Sequence, residues 1–197
     1  AFGYQSLNTD QHGSYSTALG YKALYSQLHG VVNGNTGNVG VGYQAGFYNV
    51  TGSNNTIVGS QALEGSSGNS TSNNVAIGTK ALRVLSTGHT NVAIGAFAGD
   101  ALTTSTDVVA IGYNAIGNAT APTGSIGIGR DAGVGLSTGI YNIAIGHNAI
   151  SGGSGADNFG VAIGFEAMRY ADSSSSVAIG AYSLQDSTGD GNVAIGY

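Results

Sequence analysis

The chain has 197 residues, a formal net charge of −5 at neutral pH and no cysteine. With only five basic residues it lacks the positive surface that nucleic acid requires, and without cysteine it has no disulfide, thiol nucleophile or cysteine-based zinc site. The sequence has no run of about 20 apolar residues, so we expect no membrane insertion in this segment.

A short phrase, typified by Asn91–Gly95, recurs along the whole chain. Its closing glycine, here called the marker glycine, falls at residues 3, 20, 42, 59, 78, 95, 112, 129, 146, 164, 180 and 196, most often 17 residues apart. Repeats of this length cannot bury their own apolar side and therefore stack on one another. The sequence predicts a single all-β array over residues 1–197, a parallel β-solenoid of about 11 to 12 coils.

Each repeat is expected to begin with a short strand. β-Branched residues stand three and one positions before the marker glycine, which is the spacing of one strand face. We expect this face to point into the coil core and to consist of Val75, Ile77, Val92, Ile94, Val109, Ile111, Ile126, Ile128, Ile143, Ile145, Val161, Ile163, Val177 and Ile179.

The residue between those two is small in nearly every repeat. Because side chains alternate along a strand, this column would point away from the coil core, where close approach of a neighbouring chain favours small residues. The predicted interchain column is Ala76, Ala93, Ala110, Gly127, Ala144, Ala162 and Ala178. The alternative is that these residues fill a tight interior.

The rest of each repeat is a glycine corner, a second short apolar segment and a polar return loop rich in Ser, Thr, Gly and Asn. The first long interval has its extra residues within 25–37, and a smaller excess falls within 64–74. Insertions in solenoids go to loops on one face, which can be a binding face or have no role. The period of 17 residues holds from Gly78 to Gly146.

Few residues have the pattern of a catalytic or metal site. His12, His29, His89 and His147 are scattered among repeats, and Asp131 and Glu166 share a column two coils apart. Such a carboxylate pair has the spacing of inverting glycosidases, but no other feature supports an active site. We therefore predict no enzyme activity, no cofactor and no metal.

Aromatic residues recur just after the marker glycine. Tyrosine offers an apolar ring and a polar tip, which suits contact with sugars or proteins. The candidate exposed ligand-contact residues are Tyr4, Tyr21, Tyr43, Tyr113 and Phe165. The alternative is that these rings cover the corner between coils or chains.

The phrase Asn-Val-Ala-Ile-Gly-x-x-Ala resembles the head repeats of YadA-like trimeric autotransporter adhesins. The fuller form, residues 42–46 followed by 51–56, is similar to repeats of bacteriophage and related bacterial tail-fibre proteins. The resemblance implies a left-handed β-roll in a homotrimer, located outside the cell on a virion tail or cell surface. It also implies host attachment through a cell-surface glycan or protein receptor. The 17-residue period departs from the shorter repeat of the adhesin heads.

An alternative from another class is the left-handed hexapeptide β-helix of acyltransferases. Ile77–Leu82 fits one such hexapeptide, but that fold needs about three consecutive hexapeptides per coil and only one per repeat fits here. Since the chain starts and ends within a repeat, we expect it to be a segment of a longer fibre protein.

Overall fold

The computed structural model describes residues 1–10, 15–28, 36–152 and 158–197. These residues contain no helix and form one parallel sheet with its strands in chain order. The eleven strands, of three residues each, are β1 (Thr17–Leu19), β2 (Val39–Val41), β3 (Thr56–Val58), β4 (Val75–Ile77), β5 (Val92–Ile94), β6 (Val109–Ile111), β7 (Ile126–Ile128), β8 (Ile143–Ile145), β9 (Val161–Ile163), β10 (Val177–Ile179) and β11 (Val193–Ile195).

The predicted parallel β-solenoid with repeats of about 17 residues is confirmed, but the array makes about nine turns instead of the expected 11 to 12 coils. Equivalent residues pair from coil to coil, as Val92 does with Val109 and Ala93 with Ala110. Outside the strands the chain turns instead of forming a second strand. Residues two and four positions after the marker glycine have left-handed φ angles, such as 59° at Phe97 and 50° at Leu82. The insertion expected within 25–37 lies partly in 29–35, outside the described residues.

The predicted assignment of the two strand faces was wrong. The small column is the buried one: the coil interior contains Ala76, Ala93, Ala110, Gly127, Ala144, Ala162 and Ala178. The β-branched residues point outward and are partly or substantially exposed, namely Val75, Ile77, Val92, Ile94, Val109, Ile111, Ile126, Ile128, Ile143, Ile145, Val161, Ile163, Val177 and Ile179. The small column therefore cannot be an interchain contact.

The width of the coil explains why the small residues lie inside. The residues opposite the strand are a second Ala column, including Ala98 and Ala115, and large side chains such as Ile116, all of them buried. A Cβ added to Gly127 would stand 2.5 Å from Cγ1 of Ile116, so the large side chain already fills the space in front of the strand. In front of such a side chain the strand has room only for Ala or Gly, and the Val and Ile of the strand point outward. Ile57 is the exception in the small column.

An asparagine ladder, formed by the residues four positions before the marker glycine, runs through the coil interior. The Oδ1 atom of Asn74 accepts the backbone N–H of Asn91 at 3.0 Å and its Nδ2–H at 3.1 Å. The Nδ2 of Asn91 also donates to the carbonyl of Ser105, at 2.8 Å, in the return loop. Asn38 and Asn55 repeat this pattern. Where Asn occupies this position, it joins its strand to the next coil and to the loop that closes its own coil.

The marker glycines also stack on one another. Gly112 has a φ of 129°, in a region that L-residues rarely adopt, and a Cβ added to it would lie 2.6 Å from the carbonyl oxygen of Gly129 in the next coil. Backbone geometry and neighbour contact therefore both require glycine at this corner.

Replacing Gly112 with Ala should lower the free energy of unfolding by about 3 kcal/mol or more, because strain at φ adds to a clash with backbone. Gly68→Ala is the control, since Gly68 also has a positive φ (87°) but an added Cβ would meet nothing within 4 Å. Chemical denaturation measures both variants. Equal losses would contradict the proposed effect of coil contact.

Replacing Asn74 with Ala should cost about 1–3 kcal/mol, because the backbone and side-chain N–H groups of Asn91 lose their buried acceptor. Asn74→Ser should cost less, since Ser125 and Ser176 occupy the same column and accept the next coil's N–H at 3.1 Å through their hydroxyls. Thermal and chemical unfolding of the two variants provide the comparison, and an equal cost would argue against the ladder.

Candidate binding surface

The aromatic residues that follow the marker glycine form a ladder on the outer corner of the coils. Tyr4, Tyr21 and Tyr43 are 63%, 40% and 48% exposed, and their ring centroids stand 5.4 and 5.3 Å apart with planes nearly parallel. Because the rings cover each other's faces, this part of the ladder presents ring edges and hydroxyls to solvent. The ring stack has a free face only where it ends.

In the later coils, around Tyr113 and Phe165, the ladder is less regular. Tyr113 is exposed, meets Phe97 edge-on at 5.9 Å and has the guanidinium of Arg130 5.7 Å from its ring. Phe165 is exposed and lies between His147 at 5.4 Å and Tyr182 at 5.3 Å. All five predicted aromatics are thus exposed, but they form a stack of three and two separate clusters instead of one continuous surface.

A second aromatic stack lies around Lys22, beside the stack of Tyr4, Tyr21 and Tyr43. The rings of Tyr25 and Phe47 are parallel with centroids 4.9 Å apart. The Lys22 Nζ stands 5.3 Å from the Tyr21 ring centroid, 5.4 Å from that of Tyr25 and 5.8 Å from that of Phe47. We call Lys22, Tyr21, Tyr25, Tyr43 and Phe47 the Lys22 corner. The sequence patterns did not predict this corner. Tyr25 and Phe47 both stand five positions after a marker glycine in successive repeats, and this recurrence could have indicated it.

Lys22 differs from the other basic side chains in its charge environment. Ion pairs join Arg83 to Asp100 at 3.9 Å, Arg130 to Asp131 at 3.2 Å and Arg169 to Glu166 at 2.6 Å. Lys80 lies near Asp100, where its positive charge lowers the pKa of that carboxyl. Burial has the larger effect and raises the pKa of Asp100 above its ordinary value. Within the described residues, no ion pair includes Lys22, so its ammonium contacts aromatic rings without a neutralising carboxylate.

The carboxylates of Asp131 and Glu166 belong to hydrogen-bonded side-chain networks. Asp131 accepts from Nδ2 of Asn114 at 2.7 Å, and Glu166 accepts from Arg169 at 2.6 Å and from Gln185 at 3.2 Å. The hydrogen bond from Arg169 holds the pKa of Glu166 below its ordinary value. A general acid needs a raised pKa, so this arrangement does not favour glycosidase chemistry.

The described histidines lie apart from one another. His89 is exposed beside Thr90, and His147 stacks on Phe165; His12 and His29 lie outside the described residues. Where the structure describes the chain, no group of three or more His, Asp or Glu side chains is arranged to hold a metal ion, and the surface has no enclosed pocket.

The outward face of the sheet is a separate surface. We call it the outer strip: the first and third residues of each strand β1–β11, which are Val, Ile or Leu except at Thr17 and Thr56. Ile94, Ile163 and Ile179 are each 37–38% exposed. At a strand spacing of about 4.8 Å the strip is roughly 48 Å long and has no charged residue.

No family model, curated protein or solved structure matches this chain. No helix long and apolar enough to cross a membrane occurs among the described residues.

Replacing Glu166 with Gln should destabilise the chain at neutral pH, and the difference from the parent should shrink in acid. The pKa of Glu166 is lowered in the folded chain, so the stabilisation by its carboxylate is present above the ordinary glutamate pKa and disappears as pH falls through the folded value. Denaturation at a series of pH values measures this difference. Glu64→Gln is the control, because Glu64 accepts only from neutral Gln61; a pH-independent cost at Glu166 would contradict the prediction.

Proposed function

We propose that the chain is a structural and adhesive segment of an extracellular homotrimeric fibre, on a phage tail or a cell surface. The observation that carries the proposal is the outer strip. Soluble monomers rarely expose contiguous apolar patches larger than a few hundred Å², and larger ones mark interaction surfaces. A strip of β-branched residues about 48 Å long with no charge is a surface that another copy of the same solenoid can cover.

The shape of the strip suits assembly around an axis parallel to the solenoid. Every coil presents the same pair of outward residues at regular height, so copies related by rotation match coil for coil. The resemblance to adhesin and tail-fibre repeats favours three copies with left-handed coils. In that assembly Val and Ile fill the space between chains, while Ala and Asn fill each coil.

The proposal assigns no chemistry to the segment. Three carboxylates form ion pairs with arginine: Asp100 with Arg83, Asp131 with Arg130, and Glu166 with Arg169. In the acyltransferase alternative a coil would have about three strand segments, whereas here each coil contributes one three-residue strand. These features support a spacing and display role, with the exposed aromatics and the return loops available to a glycan or protein receptor.

Light scattering at several concentrations should give a native mass of three times the 19.4 kDa of one chain. The double variant Ile94→Glu, Ile111→Glu should lower that mass to one chain, because six like charges would be buried at the centre of the assembly. Thr87→Glu, on an exposed return loop, should leave the mass unchanged.

A stable monomer of the parent chain would contradict the fibre proposal and favour a single-chain β-helix. A parent trimer that survives the double substitution would show that the copies meet through another surface.

A further inference from the structure

We propose that the Lys22 corner binds an acidic saccharide, with the carboxylate or sulfate of the sugar on the Lys22 ammonium. The inference names a ligand class for the display role proposed above and rests on that role only for its biological setting. Three features of the corner carry it: a cation without a carboxylate partner, two neighbouring aromatic stacks and a ring face that no other ring covers.

The cation is held in place without being neutralised. Its Nζ is 5.3–5.8 Å from the centroids of three rings that belong to two different stacks, so the long side chain is fixed between the stacks. Rings stabilise a cation but supply no formal negative charge. In a chain with ten acidic and five basic residues, a positive group left without a carboxylate is available to an anion from outside.

The aromatic stacks around the cation provide the apolar part of a saccharide site. Tyr21 stacks on Tyr43 at 5.3 Å, Tyr25 stacks on Phe47 at 4.9 Å, and the Lys22 ammonium lies near a ring of each stack. Phe47 is itself buried, and the exposed rings are those of Tyr21 and Tyr43. The exposed tyrosines add hydroxyls that exchange hydrogen bonds with sugar hydroxyls. An apolar ring surface combined with a few polar groups is the composition of small-ligand sites.

Tyr43 is the last ring of its stack, so among the described residues no aromatic ring covers its second face. Its ring stacks on Tyr21 on one side, and in the next coil the equivalent position holds Ser60 instead of an aromatic residue. With the tyrosine 48% exposed, a pyranose can lie on this open face while its acid group, or that of the adjoining sugar, meets Lys22.

A matched control exists within the array. Lys80 stands at the same position after its marker glycine as Lys22, also with a left-handed φ, and its Nζ is 5.7 Å from the centroid of Phe97. It differs in meeting a single ring and in lying near the carboxylate of Asp100. Lys80→Gln therefore removes the same charge from the same local geometry without touching the proposed site.

The experiment uses the whole chain and three probes: a hyaluronan tetrasaccharide carrying carboxylates, a heparin-derived tetrasaccharide carrying sulfates, and neutral cellotetraose. Ligand-observed NMR and calorimetric titration measure binding. We expect at least one acidic probe to bind, cellotetraose not to bind, and Lys22→Gln to weaken binding by about tenfold or more. Tyr43→Ser, which copies Ser60, should also weaken binding, and Lys80→Gln should leave it unchanged.

Four results would overturn the proposal: no binding of either acidic probe, equal binding of cellotetraose, full binding by Lys22→Gln, or an equal loss in Lys80→Gln. The second acidic probe identifies which anion is preferred. Light scattering of the same samples separates this inference from the fibre proposal. A monomer that binds would contradict only the fibre, and a trimer that does not bind would contradict only the saccharide site.

Discussion

The close approach of successive coils at the marker glycine is the constraint on which the rest of the structure depends. Each marker glycine packs against the backbone of the next, and the parallel ladder places every equivalent residue directly above its predecessor. Because the register never slips, each column of the repeat becomes a continuous line of like side chains. Lines of asparagine, alanine and isoleucine then have separate physical roles: interior hydrogen bonding, interior packing and outward apolar surface.

The narrow interior determines what the outside looks like. With Ala93 and Ala98 fully buried in the coil, most of the β-branched bulk of each repeat has no place inside and forms the outer strip. A single chain therefore buries its Ala columns together with large side chains such as Leu82 and Ile116, but leaves the Val and Ile of its strands half exposed. Association of copies along the outer strip would bury these exposed side chains.

Periodicity was sufficient to predict the fold but not the direction of its faces. The strand bounds follow from β-branched spacing, and all eleven strands lie where the columns place them. Alternation alone does not tell which alternate set points inward. The deciding signal was Asn74 and its equivalents, which share the phase of the small column. An amide that recurs in four successive coils, from Asn38 to Asn91, is best satisfied by stacking inside. The Lys22 corner was not predicted for another reason. Tyr25 and Phe47 come close to Lys22 only in the folded chain, through the turns that follow the marker glycines.

In an array this regular, we expect specific function where a column on the outside departs from its consensus residue. Interior departures are compensated locally: Ile57 occupies the small column, and Gly46, whose added Cβ would meet Ile57 Cδ1 at 2.8 Å, leaves room for it. A residue that departs from the consensus on the outside of the coil has no neighbouring side chain that must change to accommodate it. The tyrosine stack ending at Ser60 and the cation without a carboxylate are departures of that kind, so the first three coils differ chemically from the regular coils that follow. In the proposed fibre the repeat would set position and spacing, and the exceptions to it would supply recognition.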